Sequence, residues 1–312
     1  MTTFAVVFPG QGSQSVGMLD AFGDHPEVRR TLVEASDALG EDIAALIHAG
    51  PKERLDLTTN TQPVMLTAGV ACWRALHAET GLEPVAVAGH SLGEYAALVA
   101  AGVLSLADAL PLVRFRAQAM QEAVPPGEGA MAAILGLDAD AVVDGCAQAA
   151  AATGQVVTAA NFNDPKQTVI AGTKAAVDKA CEILKSVGAK RALPLAVSAP
   201  FHCPLMKPAA DRLKQRLAAV ALAAPRIAVV NNVDVASPAE PAAIADALYR
   251  QAYQPVRWVE VVRALRARGV THVVECGPGK VLAGLTRRID AELVSAAVCD
   301  PATLTEVKGL LQ

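Results

Sequence analysis

Aromatic side chains are scarce in this 312-residue chain, at 4% of positions, and no apolar run is long enough to span a bilayer. The longest run, Tyr95 to Leu104, falls well short of the roughly 18 residues a membrane helix needs. The apolar Phe4–Phe8 stretch lacks a basic segment before it and is too short for a secretory leader. Six cysteines occur without a Cys-x-x-Cys pair, which favours a reduced cytoplasmic compartment over a disulfide framework. No His-Glu-x-x-His spacing suggests a metal. A pI near 5.9 gives no basic footprint for nucleic acid.

Hydrophobic residues make up 53% of the chain, with alanine prominent, so a soluble, helix-rich globule is expected. The length allows one large α/β domain or two smaller ones. Net charge is −4, yet the halves differ. Residues 1–150 hold 7 Lys+Arg against 18 Asp+Glu, and residues 151–312 hold 20 against 13. A cationic C-terminal half could meet an acidic partner or a phosphate-bearing ligand, although sequence halves need not form separate faces.

A strand is expected at Thr2–Phe8, opening into the glycine-rich PGQGSQ. Helices are expected up to Gly40, over Pro63–Thr80, and from Ser105 to the Pro125–Pro126 pair. Pro111 should kink the last of these or delay its start. From Gly129 to Val197 the order is strand, helix, two strands, helix, strand, the βαββαβ signature of a ferredoxin-like unit. Strand–helix alternation on either side argues for a mainly parallel sheet. The expected division is residues 1–127 with 198–312 as a large hydrolase-like α/β part, and 128–197 as a small inserted ferredoxin-like part.

Within AGHSLGEYAA (88–97), Ser91 lies between Gly89 and Gly93, after a short apolar strand and before a run of helix formers. This Gly-x-Ser-x-Gly pattern matches a nucleophile elbow, though a tight turn that merely contains a serine reads the same way. An elbow serine needs a base later in the chain. Of six histidines, His25, His48 and His77 precede Ser91, and His90 adjoins it. His202, in the loop SAPFHCP, and His272, within an apolar strand, remain; placement in a loop favours His202. No acid stands at an evident strand end between Ser91 and His202. Either a triad acid lies where the sequence does not reveal it, or a backbone carbonyl orients the imidazole; a dyad is the favoured expectation.

Helical spacing puts Arg116 on one apolar stripe with Ala109, Leu112, Val113 and Met120, while Arg114 faces water. A buried arginine keeps its charge and needs an anionic partner. That partner is either a structural carboxylate or the carboxylate of a substrate. The loop GQGSQS lacks parts of both the dinucleotide and the phosphate-cradle motifs. It reads as a turn whose N–H groups could serve an oxyanion hole.

FPGQGSQ (8–14), GHSLGEYAA (89–97), Arg116 and SAPFHCPLMKPAA (198–210) together resemble the malonyl-CoA:acyl carrier protein transacylase family. VVNNVD (229–234), YQPVRW (253–258) and ECGPGKVL (275–282) extend the likeness nearly end to end, in the stand-alone bacterial form. The resemblance implies Ser91 as acyl-bearing nucleophile and His202 as its base. It implies oxyanion donors in the main-chain N–H groups of Gln11 and Leu92, a malonyl carboxylate on Arg116, and the carbonyl of Gln251 orienting His202. Phe201 departs from relatives that carry serine there. Malonyl-CoA and acyl carrier protein become the expected partners, with no cofactor, nucleic acid or membrane, and a monomer is expected. The competing class is a serine esterase or thioesterase of similar fold, which leaves Arg116 unexplained; a nucleotide-binding module is more distant.

Overall fold

The computed structural model describes residues 2–312. Five strands, β1 (Phe4–Phe8), β2 (Ala86–Gly89), β7 (Ala228–Val230), β8 (His272–Cys276) and β9 (Val294–Val298), form a parallel sheet in the order β7-β2-β1-β8-β9. The central β1, FAVVF, is buried throughout, as a strand covered on both faces must be. Its alternate side chains serve different cores: Phe4, Val6 and Phe8 face one layer of helices, and Ala5 and Val7 face the other.

The four remaining strands, β3 (Gly129–Leu135), β4 (Val157–Asp164), β5 (Gln167–Thr173) and β6 (Arg191–Pro194), form an antiparallel sheet in the order β4-β5-β3-β6. Helices Ala139–Thr153 and Lys174–Ser186 cover one face of it through Val142, Cys146, Val177 and Leu184. The chain order β3–helix–β4–β5–helix–β6 is the βαββαβ pattern of a ferredoxin-like unit. The expected α/β fold is thus present, parallel sheet and small antiparallel sheet alike. Strand β4 of the small sheet is fastened to the segment before the helix Trp258–Ala267, where Val256 exchanges main-chain hydrogen bonds with Ala160 and Phe162, both at 2.9 Å. Asp164 and Arg288 add an ion pair of 2.7 Å.

Several elements depart from their sequence-based expectations. The helix expected from Pro63 starts at Thr58, and Pro63 lies inside it. Pro111 likewise sits inside the helix Leu106–Glu122 without delaying it, because Ser105 caps the start, its Oγ accepting the Asp108 N–H at 3.0 Å. Only Ala228–Val230 of the IAVVNNV segment is strand; beyond it Asn232 serves the elbow, while Asn231 Oδ1 accepts the N–H groups of Asp234 and Val235. β9 and the helices Val281–Ile289 and Pro301–Leu311 lie beyond the elements expected from sequence, although Asp300 followed by Pro301 is a legible helix start: its Oδ1 accepts the Thr303 N–H at 2.8 Å. Arg114 does not simply face water. It is half-buried and grips the carboxylate of Glu41 with two hydrogen bonds of 2.7 and 3.0 Å.

Candidate active site

The elbow follows from glycine at two close approaches. β2 ends at Gly89 and the next helix, Gly93–Ala100, begins four residues on. A Cβ on Gly89 would stand 1.9 Å from the Gly93 carbonyl carbon, and one on Gly93 would stand 2.1 Å from Phe8 O. No side chain fits either gap. The turn between them forces Ser91 into the left-handed region at φ 53, a conformation that costs of order 1–2 kcal/mol. Asn232, fully buried, clamps it there: its Oδ1 accepts the Ser91 N–H and its Nδ2 donates to Gly89 O, both at 2.7 Å.

His202 also has a positive φ, 58, in the loop after β6. Its Nε2 lies 2.6 Å from Ser91 Oγ, and its Nδ1 lies 2.9 Å from the main-chain oxygen of Gln251. A carbonyl only accepts, so the proton belongs on Nδ1 and the Nε2 lone pair faces the hydroxyl. Burial, then the charge of Arg116, pushes the His202 imidazole down to about 3. It is therefore neutral, and free to accept a proton, throughout the physiological range. Titration by ¹⁵N NMR should show no protonation of His202 between pH 8 and pH 5; a midpoint near the ordinary histidine value of about 6.5 would contradict this geometry.

Arg116 is 2% exposed and touches no carboxylate. One terminal nitrogen donates to Gln62 Oε1 at 2.7 Å. The other donates to Gln251 Oε1 at 3.1 Å and to Ser91 Oγ at 3.3 Å. The ring of Tyr95 lies 5.5 Å from the guanidinium carbon. The structural salt bridge, one of the two readings of this arginine, is absent among the described residues.

Gln11 lines the same cleft as Ser91, Arg116, His202, Met131 and Phe201. The main-chain N–H groups of Gln11 and Leu92 make no hydrogen bond among the described residues. The glycine-rich loop is pressed against the elbow, since a Cβ on Gly10 would stand 2.8 Å from His90 O. His272 is elsewhere, half-exposed at the start of β8 with its Nδ1 beside Thr271 Oγ1 at 2.9 Å. Three residues that reading the sequence did not single out complete the site: Gln62, Glu94 and Asn232. Only Asn232 had a visible signal, a polar pair directly after an apolar strand.

A histidine-paired serine on a glycine elbow, beside a buried cation, suits chemistry in which an acyl group passes through a serine. The chain belongs to the acyl transferase domain family, whose model matches residues 5–303. Over 98% of its length it is 54% identical to the malonyl CoA-acyl carrier protein transacylase of Salmonella typhimurium, of which 98% is covered. Among solved structures, an acyl-carrier-protein S-malonyltransferase from Burkholderia pseudomallei superposes with a TM-score of 0.97 at 66% identity, over 99% of this chain and 100% of that one. Another is a malonyl-transacylase in complex with its type II polyketide synthase acyl carrier protein, with a TM-score of 0.97 and 50% identity over 99% of this chain and 100% of that one.

Proposed function

We propose that this enzyme moves the malonyl group of malonyl-CoA to the phosphopantetheine thiol of acyl carrier protein, through a malonyl-serine intermediate, to supply fatty acid synthesis. The observation that carries the reading is Arg116, a buried cation with no acid of its own, 3.3 Å from Ser91 Oγ. Ser91 Oγ attacks the thioester carbonyl while His202 Nε2 takes its proton. The oxyanion rests on the N–H groups of Gln11 and Leu92, and the carbonyl of Gln251 holds the imidazole. The carbon–sulfur bond then breaks, and His202 returns the proton to the CoA sulfur. The carrier thiol repeats the sequence in reverse, giving up its proton to His202, and Ser91 is restored. The names of the relatives support the donor and acceptor. A thioesterase would use the same dyad, but Arg116 would then have no ligand.

This chemistry calls for no cofactor, and no cluster of potential metal ligands occurs among the described residues. No helix is long and apolar enough to cross a membrane. Six free cysteines suit the cytoplasm. We divide the chain into a catalytic part, residues 1–127 and 198–312, and a small part, 128–197, which roofs the cleft with Met131 and Asn161. The acidic carrier would dock on cations such as Lys185, Lys190, Arg191 and Arg287. Arg288 is engaged with Asp164 and is a poorer contact.

Mass spectrometry after brief exposure to malonyl-CoA should find malonyl on the peptide containing Ser91, and addition of acyl carrier protein should discharge it. Label on Cys203, or a Ser91 adduct that only water removes, would overturn the proposal.

A further inference from the structure

A guanidinium removed from water requires a counter-charge, yet the oxygens that Arg116 touches, on Gln62, Gln251 and Ser91, are all uncharged. The Gln251 side chain leads to one. Its Oε1 accepts from Arg116 at 3.1 Å while its Nε2 donates to Glu94 Oε2 at 3.0 Å. An amide held between a cation and an anion is polarised by both, so each end feels the other's charge. Glu94 is 2% exposed, in the first turn of the helix after the elbow. The same Oε2 accepts the main-chain N–H of Asn232 at 2.9 Å. Glu94 also lines a small cavity with Asn231, whose buried Nδ2 is a further donor without a partner among the described residues. Burial pushes the Glu94 carboxyl up to about 7, against the pull of Gln251, Asn232 and Arg116. At pH 8 it is mainly ionised.

Taking malonyl transfer by Ser91 as given, we propose that Glu94 is a positioning residue whose negative charge, relayed by the Gln251 amide, limits how strongly Arg116 holds the acyl carboxylate. A transferase must accept that carboxylate and then release it. An unbalanced arginine in a dry site favours capture alone; a balanced one permits both.

The test uses Glu94→Gln, which can keep an oxygen for Asn232 and Gln251 but removes the charge. Acylation by malonyl-CoA and by acetyl-CoA is followed by rapid quench at pH 8. The malonyl KM should fall, and the malonyl-to-acetyl ratio of kcat/KM should rise, by roughly three- to tenfold for a charge one amide away. An unchanged or lower ratio in the folded variant overturns the proposal, since a residue that only packs would affect both donors alike. Should Glu94→Gln not fold, Glu94→Asp, which keeps the charge, should hold the ratio within about twofold of the parent; a larger change overturns it just as well. Malonyl found on Ser91 of the parent, with malonyl preferred over acetyl, secures the underlying reading independently. Without that result the reading itself fails, before any variant is compared.

Discussion

Replacing His202 with alanine should slow both acylation of Ser91 and its discharge to the carrier by about 10²–10⁴-fold, the usual worth of a positioned general base. In the proposed mechanism the same Nε2, 2.6 Å from Ser91 Oγ, serves both directions of the reaction, so neither half should escape. Two features make the imidazole effective. The Gln251 carbonyl fixes which nitrogen is bare, and burial keeps that nitrogen unprotonated. Rapid-quench measurement of each half-reaction separately is the check. A variant that loses only one half-reaction would show that another group supplies the proton transfer in the other.

Arg116→Ala should cut malonyl transfer while sparing acetyl transfer. Removing one partner of a desolvated charge pair costs about 2–5 kcal/mol, or roughly 30- to 5000-fold. An acetyl group brings no carboxylate and so forfeits nothing. The dyad should survive, because His202 is held by the main-chain oxygen of Gln251 and not by its side chain. Arg116→Lys should rescue only in part, since a point charge cannot reproduce two parallel hydrogen bonds. Malonyl and acetyl rates measured in a single folded preparation decide the matter. Equal losses for both donors would mean that Arg116 supports the fold and does not read the acyl group.

What could be read beforehand was local. Gly89 and Gly93 announce the elbow by their spacing, because no other residue survives contacts of 1.9 and 2.1 Å. The βαββαβ unit shows in its periodicity. The burial of Arg116 follows from its place on an apolar stripe. Its partners do not: Gln62 is 54 residues away and Gln251 is 135. Glu94 and Gln251 meet across 157 residues, and each is an ordinary polar residue on a helix when seen in sequence. Such contacts exist only once β2, β7 and the helix Pro241–Gln251 are assembled. The proposed oxyanion donors, Gln11 and Leu92, would act through main-chain atoms, which no side-chain pattern reports; the glycine-rich loop suggested such N–H groups, and the family resemblance named the two residues. The charge of Arg114 was visible, but the Glu41 carboxylate that receives it, 73 residues distant, was not.

Ser91 and His202 both stand in left-handed backbone, at φ 53 and 58, where glycine would sit more easily. Two non-glycine residues held there cost of order 2–4 kcal/mol together. That is a sizeable fraction of the roughly 5–15 kcal/mol that separates a folded domain from its unfolded chain. Under the proposed mechanism, selection for turnover works against selection for stability at these two positions. In a descendant copy released from catalysis, glycine at His202 would leave a cavity where a buried imidazole stood, but glycine at Ser91 would relieve strain while removing the proposed nucleophile. Such a copy would drift away from activity by gaining stability.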